Sequence, residues 1–166
     1  PRVCSVASLF ISRWDSATAK RLPPHLASAV GIAIGAQAYA AYRDLLASDR
    51  CQRLANFGAL PQRLLMASTG TKDPALSDHL YVRELAAPHT INTMPEPTLL
   101  AFADHGTLGA PLSAGGGTAE RVLYEVSRAG IDLAALGADL QKQGADAFVK
   151  SWDELMLVID AKAKAA

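Results

Sequence analysis

The sequence predicts an α/β fold of parallel strands joined by helical crossovers. Two observations carry that prediction. Three short apolar runs, rich in β-branched and small residues, begin near Val3, Arg63 and Thr90, and stretches with helical periodicity separate and follow them. Strands that alternate with helices pair in parallel through right-handed crossovers. Half of the 166 residues are apolar, enough for one sizeable core.

Taken in order, Val3 to Ile11 is too short for a typical helix and reads as a strand buried on both faces. Ser8 and Phe10, two apart, share one side of it, and Arg13 lies at its C-terminal exit. After Pro23-Pro24 a helix is predicted from about Leu26 to Ala47, with Val30, Ile34, Ala38, Ala41 and Leu45 as its buried face. Gly31 and Gly35 within it cost roughly 1 kcal/mol each relative to Ala and permit close packing on a sheet. A shorter helix from Asp49 to Phe57 ends at Gly58, a natural C′ residue. Arg63 to Ser68 forms the second strand, whereas the apolar spacing from Ala75 to Leu85 is too weak to define a helix. The third strand spans Thr90 to Met94, closed by Pro95, and a helix follows from about Pro97 to His105.

The remainder is different in kind. Gly109 to Gly117 is a loop, and its triple glycine follows no strand and fits neither a GK[ST] nor a GxGxxG register, so it reads as linker. Thr118 is the expected N-cap of a helix over 119–129, and Asp132 that of a second helix ending near Gln143. Phe148, Trp152, Leu155 and Ile159 make the stripe of a last amphipathic helix, expected to dock on the body before a frayed tail from Ala161. The expected domains are therefore an α/β segment over 1–108 and a helical extension over 109–166.

Composition removes several function classes. Sixteen basic residues balance sixteen acidic ones, so no electrostatic footprint for nucleic acid is present. No window nears the roughly 18 apolar residues of a membrane span, and no basic-then-apolar leader precedes the first strand, so no membrane partner and a cytoplasmic location are expected. Cys4 and Cys51 lie outside any disulfide or zinc spacing and read as buried thiols. His25, His79, His89 and His105 fall one to a segment, without an HxxxH or HxH pair, so no metal site is expected. Asp78 and Asp104 each precede a histidine, yet adjacent helical residues face apart. No GxSxG elbow exists, and Trp14 and Trp152 read as packing residues. The chain enters an apolar run at once after Pro1-Arg2, as expected of a chain that begins inside a domain.

Chemistry concentrates at strand ends. Leu64 to Ala67 breaks into a loop where Ser68, Thr69, Thr71, the backbone around Gly70, and Lys72 make an anion cradle, because hydroxyls and N–H groups donate while the ammonium neutralises. The same residues also fit a plain strand and turn, with Gly70 left-handed and Lys72 solvated. Ser8 and Arg13 on the first strand, with Ser68 and Lys72 on the second, place two cations and two hydroxyls at neighbouring strand ends. That combination suits a phosphorylated substrate.

Val6-Ala-Ser-Leu-Phe-Ile-Ser-Arg-Trp-Asp15, Arg63-Leu-Leu-Met-Ala-Ser-Thr-Gly-Thr-Lys-Asp-Pro74 and Thr90-Ile-Asn-Thr-Met-Pro-Glu-Pro-Thr98 resemble the last three strand segments of the transaldolase family, in its bacterial and plant-type branch. The resemblance continues through Ala-Asp-His-Gly106 and Phe-Val-Lys-Ser-Trp152. It implies about three βα units, strands six to eight, of a TIM (β/α)8 barrel, plus C-terminal helices. A whole barrel takes about 250 residues, more than this chain has. The family transfers a dihydroxyacetone unit from fructose 6-phosphate or sedoheptulose 7-phosphate to an aldose phosphate through a lysine Schiff base, in the pentose phosphate pathway, without metal or cofactor. By the resemblance the Schiff-base lysine lies outside this chain, so the isolated chain should be inactive. Ser8, Arg13 and Ser68 would bind substrate phosphate, and Phe10 would shape the pocket. Lys72 departs from the arginine of the better-known branch. Two other readings remain: a small class I aldolase using Lys72 as its imine lysine, and a non-catalytic sugar-phosphate-binding or assembly module. The implied partners are sugar phosphates, and either the rest of a barrel or another copy of the chain to cover open sheet edges.

Overall fold

The computed structural model describes residues 3–165, so Pro1-Arg2 and Ala166 lie outside the described residues. Three strands, β1 (Val6–Phe10), β2 (Arg63–Ala67) and β3 (Thr90–Asn92), form one sheet in the order β1-β2-β3. Both pairings are parallel, with Ser8 opposite Leu65, Phe10 opposite Ala67, and Ile91 opposite Leu65 on the other side. The chain is therefore a mixed α/β protein built on a parallel sheet, the class expected.

Between the first two strands run α1 (Ser12–Thr18), α2 (Val30–Ala47) and α3 (Asp49–Asn56). The short α4 (Leu80–Glu84) separates β2 from β3, and α5 (Glu96–His105) and α6 (Ala119–Arg128) follow. Side chains alternate across a strand, so the helix-side face carries Leu9, Ile11, Leu64 and Met66. There Ile11, Leu64 and Met66 join Tyr39, Tyr42, Tyr81 and Leu85 in the core. The opposite face carries Ser8, Phe10, Leu65, Ala67 and Ile91 in register, with Ser8 exposed. The first strand is covered on neither face as fully as expected: Val6, Ala7 and Ser8 are exposed, and Leu9 and Phe10 are half-buried.

The buried face of α2 is rotated from the one predicted. Val30, Gly31, Ala33, Gly35, Ala36, Tyr39 and Tyr42 are buried, while Ala41 and Leu45 are exposed. The glycines explain the rotation. A Cβ on Gly31 would stand 2.7 Å from the Ile11 carbonyl oxygen, and one on Gly35 2.7 Å from a Leu85 methyl. The helix thus makes its close approach along its glycine face, and Tyr39 and Tyr42 further along it join the core with Leu64 and Met66. Ala38, Ala41 and Leu45 line an apolar cavity of about 760 Å³ with Leu64 and Leu60.

Other boundaries fell near their predicted places. Ser48 caps α3, its hydroxyl accepting the Cys51 N–H at 3.3 Å, and Gly58 leaves the helix with φ +86°. Thr118 makes no such bond, contrary to its expected role. Cys4 is exposed and Cys51 half-buried, which corrects the reading of both as buried thiols.

The chain divides into two compact units, the first ending at Ala129 and the second beginning at Gly130. The first extends past residue 108 because α6 packs on α2, burying Ala119, Leu123 and Val126. The second unit is one helix, α7 (Leu133–Ala165), of 33 residues, where two helices and a frayed tail were expected. Asp132 starts it, its carboxylate accepting the N–H groups of Ala134 and Ala135 at 3.0 Å. Gly137 and Gly144 do not break it, since each costs only about 1 kcal/mol in an otherwise strong run of helix formers. The ion pairs Lys142–Asp146 and Asp160–Lys164 stitch its surface. Its stripe residues Phe148, Trp152, Leu155 and Ile159 are all exposed, so Trp152 is not a packed residue within its own unit. No helix among the described residues is long and apolar enough to cross a membrane.

Candidate functional site

The site forms where β1 and β2 end together. Beyond the last strand pair, Ile11 N–H donates to Ala67 O at 2.9 Å and Ser12 N–H to Ser68 O at 3.1 Å, so the ladder continues into both loops. The side chains meet as well, with Ser12 Oγ 2.8 Å from Ser68 Oγ. Ser68 holds a left-handed φ of +56°, a conformation that a residue with a Cβ adopts at a cost of about 1–2 kcal/mol. The turn expected to need a left-handed Gly70 thus places that conformation two residues earlier. Gly70 serves close approach instead: a Cβ there would lie 2.9 Å from the Pro95 ring at the start of α5.

Thr69 locks the second loop to the third strand. It is wholly buried, and its hydroxyl donates to Asn92 Oδ1 at 2.7 Å and to the Thr93 carbonyl at 3.0 Å. Thr71 Oγ1 is buried without a hydrogen-bond partner, a polar atom left for something else to satisfy.

On the first strand, Ser8 is exposed and Phe10 half-buried on the face away from α2. Arg13 lies in the first turn of α1 with its guanidinium carbon 4.7 Å from the Phe10 ring centroid, a cation–π contact that holds the charge over the strand end. The structure therefore brings Phe10 and Arg13 together, and sets Ser68 beside the Ser12 that precedes Arg13. Lys72 stands apart. It is exposed and lines a cleft of about 600 Å³ with Thr71, Asp73, Asp78, His79 and His105, to which Ser8, Phe10, Arg13 and Ser68 do not contribute.

Behind the strand ends sits a carboxylate that sequence reasoning missed. Asp15 is buried in α1, and its Oδ2 accepts from Tyr81 Oη at 2.7 Å while its Oδ1 accepts from Gly31 N–H at 3.0 Å. Burial pushes the Asp15 carboxyl above its ordinary value, against the pull of the bonds from Gly31 and Tyr81. Burial first, and the Asp15 charge second, push the Tyr81 phenol upward in turn. Ser12 lies one position beyond the predicted first strand, where no local pattern marks it. Its pairing with Ser68 was readable only once the parallel register was known.

In the cleft, Asp78 Oδ1 lies 3.0 Å from His79 Nδ1 and 3.1 Å from His105 Nε2, across 27 positions of sequence in the second case. Asp104 Oδ2 is 3.2 Å from His105 Nδ1. Adjacent aspartate and histidine side chains do meet here, because His79 precedes α4 and His105 ends α5, where neighbours are not held to helical divergence. Hydrogen bonds to Asp104, then Asp78, raise the His105 pKa, and those from His105, then His79, lower that of Asp78.

A parallel sheet that gathers hydroxyls and a guanidinium at its C-terminal edge defines an α/β protein with a polar strand end. The chain matches the family model described as transaldolase/fructose-6-phosphate aldolase over residues 2–159, and it belongs to that family. It is 47% identical over 164 residues to a transaldolase of Saccharopolyspora erythraea, covering 95% of this chain and 45% of that one. Against a transaldolase of Thermobifida fusca the identity is 46% over 160 residues, covering 92% and 44%. A transaldolase of Parafrankia sp. is 45% identical over 162 residues, covering 93% and 44%. The chain thus spans less than half the length of the curated relatives it matches.

Proposed function

We propose that this chain forms the phosphate-binding side of a transaldolase barrel mouth, built from strands six to eight of a (β/α)8 barrel and the helices that follow. The observation that carries the reading is the joining of β1 and β2 through Ser12 and Ser68, with Arg13 held over Phe10 at the same end. Family membership and the polar strand-end geometry support it; the face bearing Ser8, Phe10, Leu65, Ala67 and Ile91 then corresponds to the barrel interior.

In this reading Arg13 and the hydroxyls of Ser8 and Ser68 hold the phosphate of a ketose phosphate. Fixed charge and position at that end set the carbonyl against a lysine supplied from outside this chain, which forms the Schiff base. Phe10 presents an apolar wall and orients Arg13. Lys72, in its separate cleft, neutralises charge at the rim. Dihydroxyacetone transfer to an aldose phosphate is then the reaction of the complete barrel, and the isolated chain binds without turning over. The sheet edges left open are covered by the rest of the barrel or by a second copy.

The test has two parts. The chain alone, given fructose 6-phosphate and erythrose 4-phosphate, should form no sedoheptulose 7-phosphate, and borohydride with fructose 6-phosphate should leave no label on Lys72. Turnover by the chain, or label mapped to Lys72, would overturn the division of labour. Arg13→Ala should weaken binding of fructose 6-phosphate, and unchanged binding would remove the phosphate role.

A further inference from the structure

We propose that Asp78, His79 and His105 form a site for one divalent transition-metal ion of the zinc class, on the wall of the cleft that holds Lys72. One carboxylate oxygen and two imidazole nitrogens from two separate segments converge there, all within 4.8 Å of one another. Tetrahedral zinc bonds nitrogen at about 2.0–2.1 Å and carboxylate oxygen at about 2.0–2.2 Å, which spaces its ligands a little over 3 Å apart. Asp78 Oδ1 already stands 3.0 and 3.1 Å from the two nitrogens, and all three donors lie within 4.8 Å, so the two imidazoles would turn from hydrogen-bonding Asp78 to share one ion with it.

The surroundings are those of a held ligand set. His79 is buried, and its ring is fixed edge-on against Phe102 and His105, with centroids 5.7 and 5.4 Å away. Asp104 faces Nδ1 of His105 at 3.2 Å. That contact is the usual outer partner of a metal-bound histidine: it holds the proton on Nδ1, while an incoming ion would displace the Nε2 proton that now faces Asp78. Two imidazoles and one carboxylate favour zinc, cobalt or nickel over magnesium or calcium, which select oxygen donors. The cleft beside the three ligands leaves room for water as a fourth. Bound there, the ion ties the segment after Lys72 to the end of α5, and so stiffens the loop that carries Thr71 and Lys72. None of its ligands belongs to the Ser8, Phe10, Arg13 and Ser68 set, and of the residues in the sugar-phosphate reading only Lys72 shares the cleft with it.

The test uses the tag-free chain, stripped with chelator, titrated with zinc by calorimetry and with cobalt by visible absorption. One equivalent should bind, with a cobalt spectrum of a four-coordinate nitrogen-oxygen site. Because His79 is buried, the variants are His105→Ala and Asp78→Asn, whose side chains are about half exposed. Each should weaken zinc at least about tenfold, and Asp104→Ala should weaken it about tenfold through the lost outer contact. His25→Ala, outside the cluster, should leave affinity and spectrum unchanged. Failure to bind at millimolar zinc, or binding that His105→Ala and Asp78→Asn leave within a factor of two, would overturn the proposal and leave the cluster a hydrogen-bonded clamp only.

Discussion

Tyr81 donates its phenolic proton to Asp15 at 2.7 Å across 66 positions of sequence, and the same carboxylate accepts the backbone N–H of Gly31. One buried side chain thereby ties α1, which carries Arg13, to α2 and α4. Tyr81→Phe removes a donor while the carboxylate stays desolvated, so the cost is that of an under-satisfied buried charge, about 1–3 kcal/mol. Urea unfolding of the chain measures it. An unchanged midpoint would mean that the contact contributes nothing to the fold.

The same carboxylate sets a pH dependence. Burial raises its folded-state pKa above the ordinary 3.8. A group with a raised folded pKa contributes stability that is complete below the unfolded value and is lost as pH rises through the folded one. Asp15→Asn never ionises, yet it keeps an acceptor for Gly31 and an N–H for Tyr81 Oη. The stability of the variant minus that of the parent should therefore grow as pH rises from acid through the folded pKa, then level. A difference that stays flat with pH would show that Asp15 does not titrate differently on folding.

Gly31→Ala tests the close approach of α2. The new methyl would meet the Ile11 carbonyl oxygen at 2.7 Å and Asp15 Oδ2 at 2.8 Å, and the first is backbone at the end of β1. Helix propensity favours alanine by about 1 kcal/mol, but overpacking costs about 1–3 kcal/mol, so the net change should be destabilising. Gly115→Ala, with nothing within 4 Å of the added carbon, is the matched control. Thermal unfolding should separate the two, with Gly31→Ala lower. Equal midpoints would mean that α2 retreats without loss.

What was legible in the sequence follows from range. β2 and α3 declare themselves locally, through an apolar run and through a cap and a left-handed glycine. The parallel order followed from alternation alone. The face of α2 did not, because counting aliphatics at helical spacing favours Ile34 and Leu45, whereas the packed face is set by where glycine lets the helix touch Ile11. Asp15–Tyr81, Ser12–Ser68 and the pairing of Asp78 with His105 join segments far apart in sequence, and no spacing rule reaches them. The histidines looked scattered only along the chain. The three motifs that carried the family resemblance were legible because strand-end loops concentrate polar residues in short runs.

Ser68 separates strain from binding. Its φ of +56° is unfavourable for any residue with a Cβ, and its hydroxyl meets Ser12 Oγ at 2.8 Å. Ser68→Ala keeps the strain and loses the contact. Ser68→Gly also loses the contact but relaxes the backbone, at a smaller cost in unfolded-chain entropy. The glycine variant should therefore be the more stable of the two, by up to about 1 kcal/mol. Both lack the hydroxyl, so both should bind fructose 6-phosphate more weakly than the parent, and to a similar degree, when followed by calorimetry. Ser12→Ala completes the set, since it removes the Ser12 contact while leaving the Ser68 hydroxyl and its φ in place. If Ser68 serves the ligand, Ser12→Ala should lose stability with affinity little changed. If Ser68 serves only the turn, all three variants should lose stability while affinity stays at the parent level.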